Sequence, residues 1–265
     1  MTGFARHWGQ GGERAVLLHC SLAHSGAWNG VARALSDRFD LTAPDLVGHG
    51  RGPAHDPSQD LHDQATEAAR AHLPAAPTAP CHLVGHSFGA TIALRLALDH
   101  PDRVKTLTLI EPVLFAAARG EPGWQAHEAA LAPLGPLSDA QDWAAAARLF
   151  LGVWGGPVPY DALPHAQQSY MRDRIWVVPA STPALHDDSA RILPRLGQIA
   201  CPVVLIEGAQ SPPVIAEIQA ALARAIPQAR RVIVKGAGHM APITHPEAIA
   251  AEIAALGAGM AEGLT

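Results

Sequence analysis

Cysteine is scarce in this 265-residue sequence, which holds three, Cys20, Cys81 and Cys201. An odd number, far apart, offers neither the close pairs of a zinc site nor the density of a disulfide scaffold. A reducing compartment, the cytoplasm, is therefore expected. Charge is sparse as well: 16% of residues are charged, the formal net charge is -5, and no basic run exceeds Arg230-Arg231. Nucleic acid is accordingly not expected as a partner. No stretch reaches 18 uncharged apolar residues, and the segment Met1 to Gln10 carries Arg6 and His7 in place of an apolar centre. Neither a membrane span nor a signal peptide is expected. What is abundant is apolar: 48% of residues are hydrophobic, and the 24 Gly and 23 Pro form no low-complexity tract. Disordered and collagen-like architectures are excluded. A chain of this length buries about three quarters of its unfolded surface on folding.

Short apolar runs alternate with longer segments whose apolar residues recur three and four apart, the pattern of strands and helices in turn. The strands predicted are Ala15 to Cys20, Leu41 to Leu46, Cys81 to Gly85, Thr106 to Ile110, Val203 to Glu207 and Val232 to Val234. Most are continuous Val/Leu/Ile runs, suited to strands covered on both faces. The helices predicted are Ala27 to Ser36, Gln59 to His72, Ala90 to Asp99, Val214 to Ala225 and Pro246 to Met260. The expected fold class is α/β, with a mostly parallel central sheet flanked by helices. Between Pro112 and Pro202 the rhythm stops, leaving only helix-like pieces such as Asp139 to Leu151 and Pro164 to Arg174. We read residues 112–201 as a helical cap inserted after the strand ending near Ile110, on a core formed by 1–111 and 202–265. The insertion holds Trp124, Trp143, Trp154 and Trp176, together with both tyrosines, Tyr160 and Tyr170. These aromatics either pack the insertion onto the core or wall a substrate pocket.

The strongest local signal is Gly85-His86-Ser87-Phe88-Gly89, between the apolar run His82-Leu83-Val84 and the helical pattern from Ala90. Strand, sharp turn and helix expose a serine hydroxyl, and the flanking glycines allow close backbone approach. Serine is a weak nucleophile at neutral pH and needs a base that takes its proton and returns it to the leaving group. Of 15 histidines, His239 follows the last strand in the turn Gly236-Ala237-Gly238-His239-Met240, where a loop can reach the point at which Ser87 emerges. His24 and His245 are the other loop candidates.

With these residues assembled, the chain resembles the α/β-hydrolase superfamily over nearly its whole length. The resemblance rests on the nucleophile elbow and, in order, on Leu17-Leu18-His19-Cys20-Ser21, Trp28, Asp45-Leu46-Val47-Gly48-His49-Gly50-Arg51-Gly52 and Gly238-His239. It implies hydrolysis of a small-molecule acyl substrate beneath the helical cap. Two departures stand out. Where the family places its acid, in a Gly-x-x-Asp turn, this chain reads Gly208-Ala209-Gln210-Ser211. Some relatives carry the acid at another strand end, here Glu111, and the order Ser87, Glu111, His239 fits the fold; Glu207 is the rival. Cys20 stands where the family commonly has glycine, as a buried inert thiol or a reactive one. The oxyanion donors implied are the backbone N-H groups of Phe88 and of Ser21 or Leu22.

No cofactor and no catalytic metal are expected. The run Gly48-x-Gly50-x-Gly52 lacks the spacing and helix start of a dinucleotide fingerprint, and no His-Glu-x-x-His arrangement is present. The function expected is a serine hydrolase cleaving carboxylic esters of small to medium apolar substrates through an acyl-enzyme. The same residues also serve a C-C bond hydrolase, a lactonase or amidase, or an acyltransferase. A non-catalytic ligand-binding member of the fold is the alternative from another class, supported by the missing aspartate. The sequence leaves the oligomeric state open.

Overall fold

The computed structural model describes residues 3–75 and 79–258. Seven strands, β1 (Ala5–Trp8), β2 (Glu13–Leu18), β3 (Phe39–Pro44), β4 (Cys81–His86), β5 (Val104–Ile110), β6 (Val203–Gly208) and β7 (Ala229–Val234), form one sheet in the order β1-β3-β2-β4-β5-β6-β7. All neighbours are parallel except β1, which runs antiparallel to β3. The expected α/β class is what the chain adopts.

The continuous apolar runs have a direct cause. Successive strand residues face opposite sides, and here both sides are covered. Val16, Leu18, Leu83, Val203 and Leu205 lie in one apolar cluster, while Ala15, Leu17, Val84, Val204 and Ile206 lie in another. On the first side pack α2 (Leu61–Arg70), α3 (Phe88–Asp99) and α10 (Pro213–Ala225); on the second pack α1 (Asn29–Leu35) and α12 (Pro246–Ala258), the latter through Ile249 and Ile253. Asp60 caps α2 by accepting from the Asp63 N-H at 2.9 Å, which sets the start of that helix.

Between β5 and β6 the described chain is helical: α4 (Pro122–Leu131), α5 (Leu134–Asp139), α6 (Trp143–Trp154), α7 (His165–Arg172), α8 (Val177–Ala180) and α9 (Thr182–His186). A short α11 (Ala241–Thr244) precedes α12.

Several boundaries differ from those read in the sequence. The first strand starts at Glu13 and ends at Leu18, and the second occupies Phe39–Pro44, because the ladder between them pairs Glu13 with Phe39 and Val16 with Thr42. Strand β7 extends back to Ala229, through Arg230 and Arg231, which are exposed on an edge strand. Strand β1 was missed altogether; its sequence, Ala-Arg-His-Trp, has no apolar run because it covers a sheet edge. The helix expected at Asp139 to Leu151 is α6, which starts later, at Trp143, and runs on to Trp154; α5 ends at Asp139. Gln141 adopts φ 57°, and Asp142 caps α6 by accepting from Ala145 N-H at 3.1 Å. Helix α12 is described to Ala258, and the predicted end at Met260 lies outside the described residues. No helix among the described residues is long and apolar enough to cross a membrane.

Histidines bolt the loops to this frame. His19 accepts from Leu46 N-H at 3.0 Å, and its other nitrogen donates to Cys20 O at 2.8 Å. Burial, acting with neighbouring charges, lowers His19 and His86 to about 3 and His49 and His62 to about 4. All four are neutral in the fold at neutral pH, whereas the unfolded chain protonates each near an ordinary pKa of about 6.5. The unfolded state therefore binds more protons below that value, and stability falls as pH drops through it and on toward the folded values. Denaturant titrations between pH 7 and pH 5 are expected to give a slope that rises to at least about four protons taken up on unfolding. A slope below about one proton would show that these side chains are not neutral tethers.

Candidate active site

The sheet gives the site its position. From β2 the chain crosses to β3 on one side and returns to β4 on the other, so a crevice opens between the carboxyl ends of β2 and β4, the usual ligand site of such sheets. The loop after β2 carries Ser21 and Leu22, the turn after β4 carries Ser87, the end of β5 carries Glu111, and the turn after β6 carries Ser211. His239 comes from the loop after β7, near the far edge of the sheet. That loop folds back over β6: Gln210 N-H donates to Ala237 O at 2.8 Å, and a Cβ on Gly208 would lie 2.5 Å from the same oxygen.

Ser87 sits at φ 56°, ψ -119° between β4 and α3, in the left-handed region that non-glycine residues seldom adopt. Its own N-H is held by Ile110 O at 2.9 Å. The flanking glycines are sterically required, since a Cβ at Gly85 would stand 2.5 Å from Ala90 Cα and one at Gly89 2.3 Å from Leu18 O. The turn thus presses the first turn of α3 against β2 and aims the hydroxyl outward.

Three side chains form one hydrogen-bonded line. The Ser87 hydroxyl lies 3.0 Å from His239 Nε2, and His239 Nδ1 lies 2.6 Å from Glu111 Oε2. With the carboxylate on Nδ1-H, the tautomer leaves Nε2 free to accept the serine proton. The exposures of Ser87, Glu111 and His239 are 5%, 0% and 6%. Glu111 adopts φ 47°, which turns its side chain from the strand toward the histidine loop, and its N-H donates to Ile206 O at 2.9 Å.

The second oxygen of Glu111 accepts from Gly208 N-H at 2.6 Å and from the Ser211 hydroxyl. Burial pushes this carboxyl upward, but the His239 contact first, then Ser211 and Gly208, more than offset it and hold the group below its ordinary range. It is a buried anion with three donors on its two oxygens. Ser211, at the position where the sequence lacks an aspartate, is therefore a donor to a carboxylate supplied by the neighbouring strand. Ser211→Ala is expected to raise the Glu111 pKa by removing one stabilising donor, and to reduce turnover at neutral pH about tenfold. The loss should deepen toward acid pH, where the raised carboxyl protonates first; a pH-rate profile superimposable on the wild type would reject this role.

The rival residues are engaged elsewhere. Glu207 Oε1 accepts from Arg231 Nη2 at 2.7 Å. His24 accepts from Gly26 N-H at 3.0 Å and caps the 3-10 turn Ser25–Trp28. His245 contacts the Thr244 hydroxyl at 2.9 Å. Two other supports carry no signal in the sequence. His86 Nε2 donates to His239 O at 2.8 Å, anchoring the imidazole loop. The Tyr170 hydroxyl donates to Ala23 O at 2.7 Å and accepts from Gly50 N-H at 2.9 Å, tying α7 to the loop after β2.

Asp45 fixes the same loop from below by accepting from Ser25 N-H at 2.7 Å and Arg51 N-H at 2.8 Å. Leu22 adopts φ 60° there. Cys20, at 3% exposure, has its thiol pushed up by burial to about 12, so it is a packing group rather than a reactive one.

Ser87 opens into a cavity of about 500 Å³, and a second of about 480 Å³ adjoins it; Ser21, Phe150 and Trp154 line both. Leu22 lines the second alone. Of the four candidate tryptophans, Trp124 and Trp154 line the first cavity, and the Trp154 ring meets His239 edge-on at 4.6 Å between centroids. Trp143 and Trp176 line neither described cavity. Trp143 packs into the larger apolar cluster from the start of α6, and Trp176 stacks on His55 at 5.2 Å and leaves Gly48 no room for a Cβ. Indole spacing in sequence does not reveal which face a helix turns to a cavity.

A model of the alpha/beta hydrolase fold matches residues 16–246. The chain is 32% identical over 246 residues to a pimeloyl-[acyl-carrier protein] methyl ester esterase of Nitrosomonas europaea, covering 89% of this chain and 92% of that one. It is 33% identical over 247 residues to the protein of the same name from Methylococcus capsulatus, covering 89% and 91%. A solved alpha/beta hydrolase from Sphaerobacter thermophilus superposes with a TM-score of 0.72 at 23% identity, over 96% of this chain and 95% of that one, a likeness of fold. Sheet order, the strained serine turn and these matches lead to one family: the chain belongs to the α/β hydrolases and is a hydrolase.

Proposed function

We propose that this hydrolase is a serine esterase that cleaves carboxylic esters of small to medium apolar substrates through an acyl-enzyme. The observation that carries this reading is the line Ser87, His239, Glu111 opening into a largely apolar cavity. Ser87 Oγ attacks the ester carbonyl as His239 Nε2 takes its proton, and Glu111 stabilises the imidazolium. The oxyanion is held by the N-H of Phe88, at the free N-terminus of α3, and by that of Ser21 or Leu22. Collapse expels the alcohol, which receives the proton from His239. Water then repeats the sequence at the acyl carbonyl, and its proton returns to Ser87.

Residues 112–201 act as a cap on a core of 1–111 and 202–265, with Trp124 and Trp154 on the substrate side. An apolar wall of this kind admits a range of acyl lengths, because each methylene alters binding only modestly. The ester named for both curated relatives supports ester cleavage over C-C, lactone or amide chemistry. The three thiols are free, with Cys20 and Cys81 raised to about 12 and Cys201 to about 11 by burial, in keeping with a reducing cytoplasmic setting.

A fluorophosphonate probe tests the proposal directly. We expect one adduct per chain, mapped to Ser87 by peptide mass spectrometry and lost in Ser87→Ala. A folded protein that takes no label would overturn the reading and leave a ligand-binding member of the fold.

A further inference from the structure

One group of titratable side chains faces the Ser87 cavity with no part in ester cleavage. His127 and Glu128 are neighbours on α4, His186 ends α9, and one potential ligand atom from each lies within 4.8 Å of the others. All three line the cavity wall. His186 Nδ1 is 3.2 Å from Glu128 Oε1. Two ligands each 2.0–2.1 Å from a tetrahedral ion stand about 3.3 Å apart, so this pair already has the length of one edge of such a site.

His127 adds an independent sign. It is 5% exposed, and its Nδ1 is buried without a hydrogen-bond partner, an uncommon state for an imidazole nitrogen. Its ring is held in place by Phe115, stacked at 4.2 Å, and by Trp154, edge-on at 5.3 Å. Burial, and then His186, lowers His127 to about 4, and burial also holds His186 below its ordinary range. The nearby cation Arg119 is paired with Asp187 at 3.1 Å, which leaves the Glu128 carboxylate as the uncompensated charge.

We infer that His127, Glu128 and His186 form a binding site for Zn²⁺ or a similar divalent transition metal on the cavity wall. Two imidazoles and a carboxylate suit such ions, whereas Mg²⁺ and Ca²⁺ favour oxygen ligands throughout. A fourth position faces the cavity and is open to water or a substrate atom. Trp154 links this site to the other one, since the same ring that meets His127 meets His239 at 4.6 Å. A bound ion therefore narrows the cavity that receives the acyl group.

The test is calorimetric titration of the full chain, stripped with chelator, with ZnCl₂, together with the visible spectrum of the Co²⁺ complex. One equivalent should bind, and Co²⁺ should give the intense ligand-field bands of a four- or five-coordinate site. His186→Ala and Glu128→Gln, at partly exposed positions that the fold tolerates, should each weaken binding at least about 100-fold, since even an outer-shell partner of a metal ligand is worth 10- to 100-fold. The sequence holds 15 histidines, so zinc binding that is unchanged in both variants places the ion elsewhere and overturns the inference. The absence of stoichiometric binding overturns it equally. Neither readout depends on catalytic activity.

Discussion

Ser87→Ala is expected to lower kcat on a chromogenic carboxylic ester by about a millionfold while leaving KM near the wild-type value. Alanine keeps the Cβ and the backbone strain of the elbow at φ 56°, so the turn, the cavity and the backbone N-H groups stay in place. What disappears is the attacking oxygen, 3.0 Å from His239 Nε2. His239→Ala should cause a loss of similar size, and the double variant should be little worse than either single one, because nucleophile and base act as a unit. Turnover of Ser87→Ala near the wild-type rate would mean that the reaction uses another nucleophile.

The second large effect concerns the acid. Glu111→Gln is expected to lower kcat by about 10⁴-fold with a minor change in KM. The glutamine side chain fills the same space but carries no charge to stabilise the imidazolium. Its amide also offers a donor where Nδ1-H requires an acceptor, which favours the wrong tautomer. Glu207→Gln, one strand away and paired with Arg231, should leave kcat within a factor of a few. A mild effect at Glu111 would reject it as the acid; a large effect at Glu207 alone would move the role there. Both variants should be checked by thermal denaturation, because Glu111 also anchors the turn of Gly208 and Ser211.

Much of this was legible in the sequence because it is local. The strands of the sheet interior announce themselves through continuous apolar runs, since a strand covered on both faces has no polar side to show. Strand β1 gave no such signal because an edge strand is half in water. The elbow was legible because a serine between two glycines at a strand-to-helix junction is a compact local pattern, and the last loop histidine because chain order and sheet geometry bring it back to that turn. The late start of α6, at Trp143 rather than Asp139, was not legible, since it rests on a single residue at φ 57° followed by one capping carboxylate.

By itself, then, the sequence determined the fold class, the serine turn and a short choice of carboxylates and histidines. The tertiary structure alone decided which carboxylate meets His239, because Glu111 and Glu207 end neighbouring strands and differ only in the direction their side chains take: one turns inward at φ 47°, the other outward to Arg231. It alone gave Ser211 its partner, and it alone set Trp154 between two histidines more than a hundred residues apart. Such contacts are set by how strands register and helices pack, and side-chain direction across those elements is not written in any local pattern.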